Sequence, residues 1–132
     1  MFFYGTLLTP FNRTARVRID DDLVFQGRGT IAAALFDLGS YPAAVPSSDG
    51  LVRGEVFAVS HPVIVLRALD AFEEYRPTEP QSSLYTRQRT PVTMDDGTVV
   101  EAFAYFYNAP LGRAERITSG DYLDYLGTRS PG

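Results

Sequence analysis

The sequence predicts an α+β fold: a small, mostly antiparallel bent sheet or β-barrel, with one central helix packed on it and a short C-terminal helix. Several segments alternate apolar and polar residues, which is typical of half-buried strands, whereas residues 60–75 have helical spacing. The chain has 132 residues, which is enough for one domain to bury a core. We therefore expect a single domain over residues 1–132, with residues 128–132 as a polar tail.

Strands are predicted along most of the chain. Met1–Tyr4 is a short apolar strand ended by Gly5, and residues 9–22 are polar and irregular. Further strands are predicted at residues 23–38, with a bulge or bend at Gly27 and Gly29, at 51–59, and at 84–93 and 98–107 around the hairpin turn Asp95-Asp96-Gly97. This order of elements favours a small sheet that is bent around one helix.

The central helix is predicted between two prolines. Ser60 can cap its start, and Pro62 is tolerated in the first turn. Arg76-Pro77 should end it at about Tyr75, because the residue before a proline disfavours helical geometry. A final short helix is expected over residues 121–126.

The composition excludes several classes of protein. Cysteine is absent and His61 is the only histidine, which excludes disulfides, a cysteine nucleophile and histidine-rich metal sites. The net charge is −4 with no long basic run, which argues against nucleic acid as a partner. No apolar run approaches membrane-spanning length. We expect a cytoplasmic monomer that needs no metal ion or cofactor and has neither a nucleic acid nor a membrane as partner.

Glu73 is the candidate for acid–base chemistry in the central helix. An apolar stripe defines the buried face of this helix: Pro62, Val65, Leu66, Leu69 and Phe72. Glu73 follows Leu66 by two helical turns on that face, whereas Asp70 and Glu74 fall toward the polar edge. Desolvation and the helix dipole should raise the pKa of Glu73, as suits a general base near neutrality. The alternative is an ion pair between Glu73 and Arg87 or Arg89. The sequence of the helix, taken alone, favours this ion pair.

The turn Tyr4-Gly5-Thr6-Leu7 is the candidate for anion binding. Gly5 can adopt a positive φ and lets a ligand approach the backbone. Successive backbone N–H groups after such a turn can bind a carboxylate. Taken alone, these four residues favour an ordinary turn at the end of a strand.

Six segments, in order along the chain, resemble those of a known family. They are Phe3-Tyr4-Gly5-Thr6-Leu7, Gly39-Ser40-Tyr41-Pro42-Ala43, Gly54-Glu55-Val56-Phe57, Leu69-Asp70-Ala71-Phe72-Glu73, Leu84-Tyr85-Thr86-Arg87 and Glu101-Ala102-Phe103-Ala104-Tyr105. Together they resemble the γ-glutamyl cyclotransferase-like (AIG2-like) superfamily, and most closely its γ-glutamylamine cyclotransferase branch. Glycine commonly follows the family's glutamate, whereas this chain has Glu74.

The resemblance implies an enzyme of the γ-glutamyl cyclotransferase-like fold that cleaves a γ-glutamyl amide and releases 5-oxoproline and a free amine without metal or cofactor. Glu73 would be the general base and acid. The expected substrate-binding residues are Tyr4, Gly5, Thr6, Leu7, Gly39, Ser40, Tyr85 and Tyr105. One alternative is a non-catalytic barrel that retains the γ-glutamyl pocket, and a weaker one is a scaffold with no ligand.

Overall fold

The computed structural model describes residues 1–4, 22–39, 41–73, 75–76 and 78–128. Gly5, Thr6, Leu7, Ser40 and Glu74 therefore lie outside the described residues, as does most of the predicted tail. The elements are β1 (Phe2–Phe3), β2 (Leu23–Asp37), β3 (Pro42–Val59), α1 (Pro62–Phe72), a 3₁₀ turn (Pro80–Ser82), β4 (Tyr85–Met94), β5 (Val99–Tyr107), β6 (Glu115–Arg116) and α2 (Tyr122–Thr128).

The strands form one antiparallel sheet in the order β1-β3-β2-β4-β5, with β6 paired to β2. The predicted α+β class with a mostly antiparallel sheet is confirmed. The β-barrel version of that prediction is wrong, because the strand path is open and ends at β1 and β5 in the part of the chain that the structure describes. Alternating apolar residues predict a half-buried sheet, but they do not determine whether its two edges pair.

Strands β2 and β3 form a long hairpin with two irregularities. One register shift lies between Phe25 and Gly27, where the φ angle of Gly27 is 142°, so the predicted bulge is confirmed there. Strand β3 begins at Pro42, well before the predicted start at Leu51. Its first part has the composition of a loop, but Ala43 and Ala44 are fully buried against β2, and this pairing overrides the local preference.

Helix α1 differs from the prediction at both ends. It begins at Pro62 with His61 as N-cap in the left-handed conformation, while the hydroxyl of Ser60 donates to the Oδ1 of Asp22 at 3.2 Å. The predicted Ser60 cap is therefore wrong, since that side chain bonds to Asp22, the residue before β2. The helix ends at Phe72, and Glu73 is its C-cap.

Two apolar clusters hold the sheet and the helices together. One contains Met1 and Phe3 with the α1 residues Val65 and Leu69. The other contains Phe2 and Tyr122 of α2. Neighbouring residues of β1 thus belong to different clusters, as expected for side chains on opposite faces of a strand. Within the described ranges, no helix has the length and apolarity needed to cross a membrane.

Candidate active site

Glu73 lies where helix α1 ends, and its side chain is half-buried. Burial raises the pKa of Glu73 to about 7, because the ionised carboxylate loses hydration in its surroundings. Its backbone N–H donates to the Leu69 carbonyl at 2.9 Å, so the residue is held as part of the last helical turn. Glu73 therefore has the protonation behaviour expected of a base that works near neutral pH.

Arg87 does not neutralise this carboxylate. Its Nη1 lies 2.8 and 2.9 Å from the two carboxylate oxygens of Asp70. Asp70 is buried, with only 9% of its surface exposed, so its predicted place at the polar edge of the helix is wrong. Among the described residues, none forms an ion pair with Glu73. The alternative in which Glu73 pairs with Arg87 is thus not realised.

Tyr4 brings the end of β1 next to Glu73. Its hydroxyl donates to the Tyr105 carbonyl oxygen at 2.5 Å and accepts from the Ala44 N–H at 3.4 Å. Burial, and then the negative charge of Glu73, raise the pKa of Tyr4 well above its ordinary range. The phenol therefore stays protonated, and the strand that leads into Gly5 is anchored beside the carboxylate.

Tyr85 lies in an aromatic group near the same carboxylate. Its hydroxyl donates to the Pro42 carbonyl at 2.9 Å, and its ring centroid lies 6.3 Å from that of Tyr41 and 5.3 Å from that of Tyr107. Burial is the largest cause that raises the pKa of Tyr85, and the charges of Tyr4 and Glu73 add to it. Tyr4, Tyr85 and Glu73 thus lie close enough to influence one another electrostatically.

Gly39 and Tyr105 are the remaining predicted binding residues that the structure describes. Gly39 is exposed with a φ angle of 101°, and its N–H donates to the Oδ1 of Asp37 at 2.7 Å. The buried hydroxyl of Tyr105 donates to the Oδ1 of Asp70 at 2.5 Å, on the side where α1 packs. The other predicted binding residues (Gly5, Thr6, Leu7 and Ser40) lie outside the described residues.

Sequence analysis did not assign a role to Tyr41 or Tyr107, or to the pairing of Asp70 with Arg87. Tyr107 is directly opposite Tyr85 in the register of β4 and β5, so the predicted hairpin contained the information needed to place it. The ion pair carried no sequence signal, because it joins a helix to a strand at a separation of 17 residues. Over the described ranges, no three His, Asp or Glu side chains come together as metal ligands would.

Comparison with known proteins places nearly the whole chain in one family. Residues 1–124 match the family model described as gamma-glutamyl cyclotransferase, AIG2-like. The chain is 35% identical over 92 residues to the gamma-glutamylcyclotransferase family protein YtfP of Escherichia coli K12, covering 68% of this chain and 67% of the relative. The sequence resemblance to this superfamily is therefore confirmed.

Solved structures support the same fold. The solution NMR structure of ytfP from Escherichia coli has a TM-score of 0.65 and 29% identity, covering 96% of this chain and 97% of that chain. The crystal structure of YkqA from Bacillus subtilis has a TM-score of 0.70 and 22% identity, covering 98% of this chain but 42% of that chain. Because the identity to YkqA is 22%, this similarity supports the fold alone.

Proposed function

The chain belongs to the gamma-glutamyl cyclotransferase, AIG2-like family, and from this premise we propose that it cleaves a γ-glutamyl amide of the γ-glutamylamine type. The products are 5-oxoproline and a free amine. In this reaction the substrate's own α-amino group attacks its γ-carbonyl carbon, so that one C–N bond forms and closes a five-membered ring. The original amide C–N bond then breaks, and neither water nor an oxidant is consumed.

The proposed base is Glu73. The α-amino group of the substrate is an ammonium near neutral pH, and it must lose a proton before it can attack. Glu73 accepts this proton and returns it to the departing nitrogen. After the attack the ring nitrogen loses a second proton, which also passes to the departing amine, so the amine leaves as an ammonium ion and the charges balance. The half-buried carboxylate of Glu73, which forms no ion pair with a described residue and has a pKa raised to about 7 by burial, is the observation that carries this proposal. Near that pH, ionised and protonated Glu73 are both well populated, so one group can take both roles.

The remaining catalytic contribution is the conformation of the substrate. We assign the binding of its glutamyl part to the backbone of Gly5, Thr6 and Leu7, because buried Tyr4 leads into that turn from a position beside Glu73. Holding the amino group against the γ-carbonyl turns the reaction into a well-oriented intramolecular step. Since the hydroxyls of Tyr4 and Tyr85 are already bonded to backbone carbonyls, we assign these two residues to the wall of the site.

The test is release of 5-oxoproline from a panel of γ-glutamyl amines by the native protein and by Glu73→Gln. We expect the variant to lose about 10²- to 10⁴-fold in kcat, the usual contribution of a positioned acid–base group. Glu101→Gln removes an exposed carboxylate on β5 and should retain native activity. Equal rates for native protein and Glu73→Gln would exclude Glu73 as the base. Binding of 5-oxoproline with no turnover of any amide would favour the non-catalytic alternative.

A further inference from the structure

We infer that Asp70, Arg87 and Tyr105 form a positioning network that keeps Arg87 from pairing with Glu73 and aligns Glu73 with Tyr4. Tyr105 is one of the substrate-binding residues expected from the sequence, but its hydroxyl is bonded to Asp70, so we assign it, with Asp70 and Arg87, to act through Glu73. The inference rests on the proposed function in one respect: a base must remain available to accept a proton. The network itself is defined by contacts that do not depend on the identity of the substrate.

Arg87 is held from several sides. Its Nη1 contacts both carboxylate oxygens of Asp70, at 2.8 and 2.9 Å, and the two side chains are only 20% and 12% exposed. The guanidinium carbon also lies 5.8 Å from the ring centroid of Tyr75 and 5.4 Å from that of Phe103. A cation held between two aromatic rings and a bifurcated carboxylate contact has little freedom to turn toward another anion.

Tyr105 connects this ion pair to the strand that leads into the candidate binding turn. Its hydroxyl donates to Asp70, while its backbone carbonyl accepts from the hydroxyl of Tyr4, each at 2.5 Å. One residue of β5 therefore joins helix α1 to the residue that follows β1. The network thus joins Tyr4 to the helix that ends at Glu73.

The backbone of Asp70 also fixes the segment that carries Glu73. The Asp70 carbonyl accepts from the N–H of Tyr75 at 2.8 Å, so Tyr75 is held to the last turn of the helix. Asp70 precedes Glu73 by three residues, a spacing that makes them neighbours on a helix surface. A displacement of the Asp70 side chain would therefore also change the position of Glu73.

The charges of the network define how a change in it should affect the protonation of Glu73. Tyr4 approaches from β1 and Tyr85 from β4, both protonated, while Asp70 and Arg87 oppose each other as anion and cation. Neutralising Asp70 alone leaves the cation of Arg87 uncompensated, which favours ionised Glu73. Removing Arg87 alone leaves an extra anion, which favours protonated Glu73. Removing both charges should leave the pKa of Glu73 close to its native value, because the two effects are opposite in sign.

The experiment is a ¹³C NMR titration of the Glu73 carboxyl group in the native protein, in Asp70→Asn, in Arg87→Met and in the double variant. The pH dependence of kcat/KM is measured for the same four proteins. We expect Asp70→Asn to lower the pKa of Glu73 by about 1, Arg87→Met to raise it, and the double variant to restore it nearly to the native value. The midpoint of the acidic limb of kcat/KM should move in the same directions. Circular dichroism shows which variants remain folded, and the two Arg87 variants decide the question if Asp70→Asn does not fold.

A merely structural network predicts a different result. Stability and kcat would fall in the variants, while the pKa of Glu73 stayed unchanged in every folded protein, and that outcome would overturn the inference. The titration requires no turnover, so it remains informative even if no γ-glutamyl amide is cleaved. If the pKa moves as expected but Glu73→Gln retains activity, the proposed function fails while the electrostatic role of the network stands.

Discussion

At the residue scale, Tyr4 shows how a single side chain can tie the edge of the sheet to the candidate site. It is 6% exposed, and its hydroxyl reaches the Tyr105 carbonyl on β5 and the Ala44 N–H on β3. The next residue is Gly5, with which the proposed binding turn begins. Stability and substrate binding should therefore change together when this hydroxyl is removed.

We expect Tyr4→Phe to lower the free energy of unfolding by about 1–3 kcal/mol, because the buried Tyr105 carbonyl loses its donor. The KM for a γ-glutamyl amide should rise, since the turn begins from a less constrained residue. Urea denaturation and steady-state kinetics measure the two effects. Tyr107→Phe is the matched control, because its half-buried hydroxyl has no hydrogen bond to a described residue, and its stability should change by less than about 0.5 kcal/mol. An unchanged stability for Tyr4→Phe would contradict the expectation.

At the element scale, the pairing of β1 with β3 depends on Gly54. A Cβ at this position would overlap the carbonyl oxygen of Phe3 and the ring of Phe2. The obstacle on one side is backbone, which cannot rotate away as a flexible side chain can. The glycine in the segment Gly54-Glu55-Val56-Phe57 therefore permits the close approach of β1, and so the position of Tyr4.

We expect Gly54→Ala to destabilise the protein by at least about 2 kcal/mol, because β1 must shift away from β3. The rate of 5-oxoproline release should fall more than in other folded variants of similar stability, because the shift of β1 also changes the position of Tyr4. Thermal denaturation and 5-oxoproline release provide the measurements. Gly127→Ala, in α2 and with no atom within 4 Å of the added Cβ, is the control and should be neutral or slightly stabilising. Native stability and activity in Gly54→Ala would contradict this expectation, because they would show that β1 can shift away from β3 without cost.

Local signals predicted the elements, whereas distant contacts decided their limits. The alternation of β4 and β5 and the turn at Asp95-Asp96-Gly97 were sufficient to predict that hairpin. The helical spacing up to Glu73 identified the half-buried carboxylate. The first part of β3 and the bond of Ser60 to Asp22 depend on pairing with β2, far along the chain. The burial of Asp70 depends on Arg87 and Tyr105, which no helical pattern reveals.

At the scale of the whole molecule, Glu73 couples the candidate site to global stability. Burial raises its pKa from 4.5 to about 7, so between these pH values the folded protein keeps a proton that the unfolded chain has released. The free energy of unfolding therefore decreases as the pH rises through this interval. The contribution of Glu73 is most favourable below pH 4.5 and least favourable above pH 7.

We expect Glu73→Gln to be more stable than the native protein at pH 8, by about 1–3 kcal/mol, because the neutral amide avoids the cost of a desolvated charge. The difference should nearly vanish at about pH 4, where Glu73 is protonated in both the folded and the unfolded state. Guanidinium denaturation at the two pH values measures it. Glu101→Gln, an exposed carboxylate, should match the native protein at both. A variant that is less stable than the native protein at pH 8 would contradict the raised pKa.

The sequence separation between paired strands also indicates the order in which they come together during folding. Strands β2 and β3 are joined through residues 38–41, and β4 and β5 through residues 95–98, so both hairpins close over short loops. Met1, by contrast, bonds to Phe57 across 56 positions of chain. Longer loops lose more entropy when they close, and contacts between distant residues slow folding. We therefore expect the edge that carries Tyr4 to dock onto hairpins that are already paired, so that the candidate site is completed late in folding.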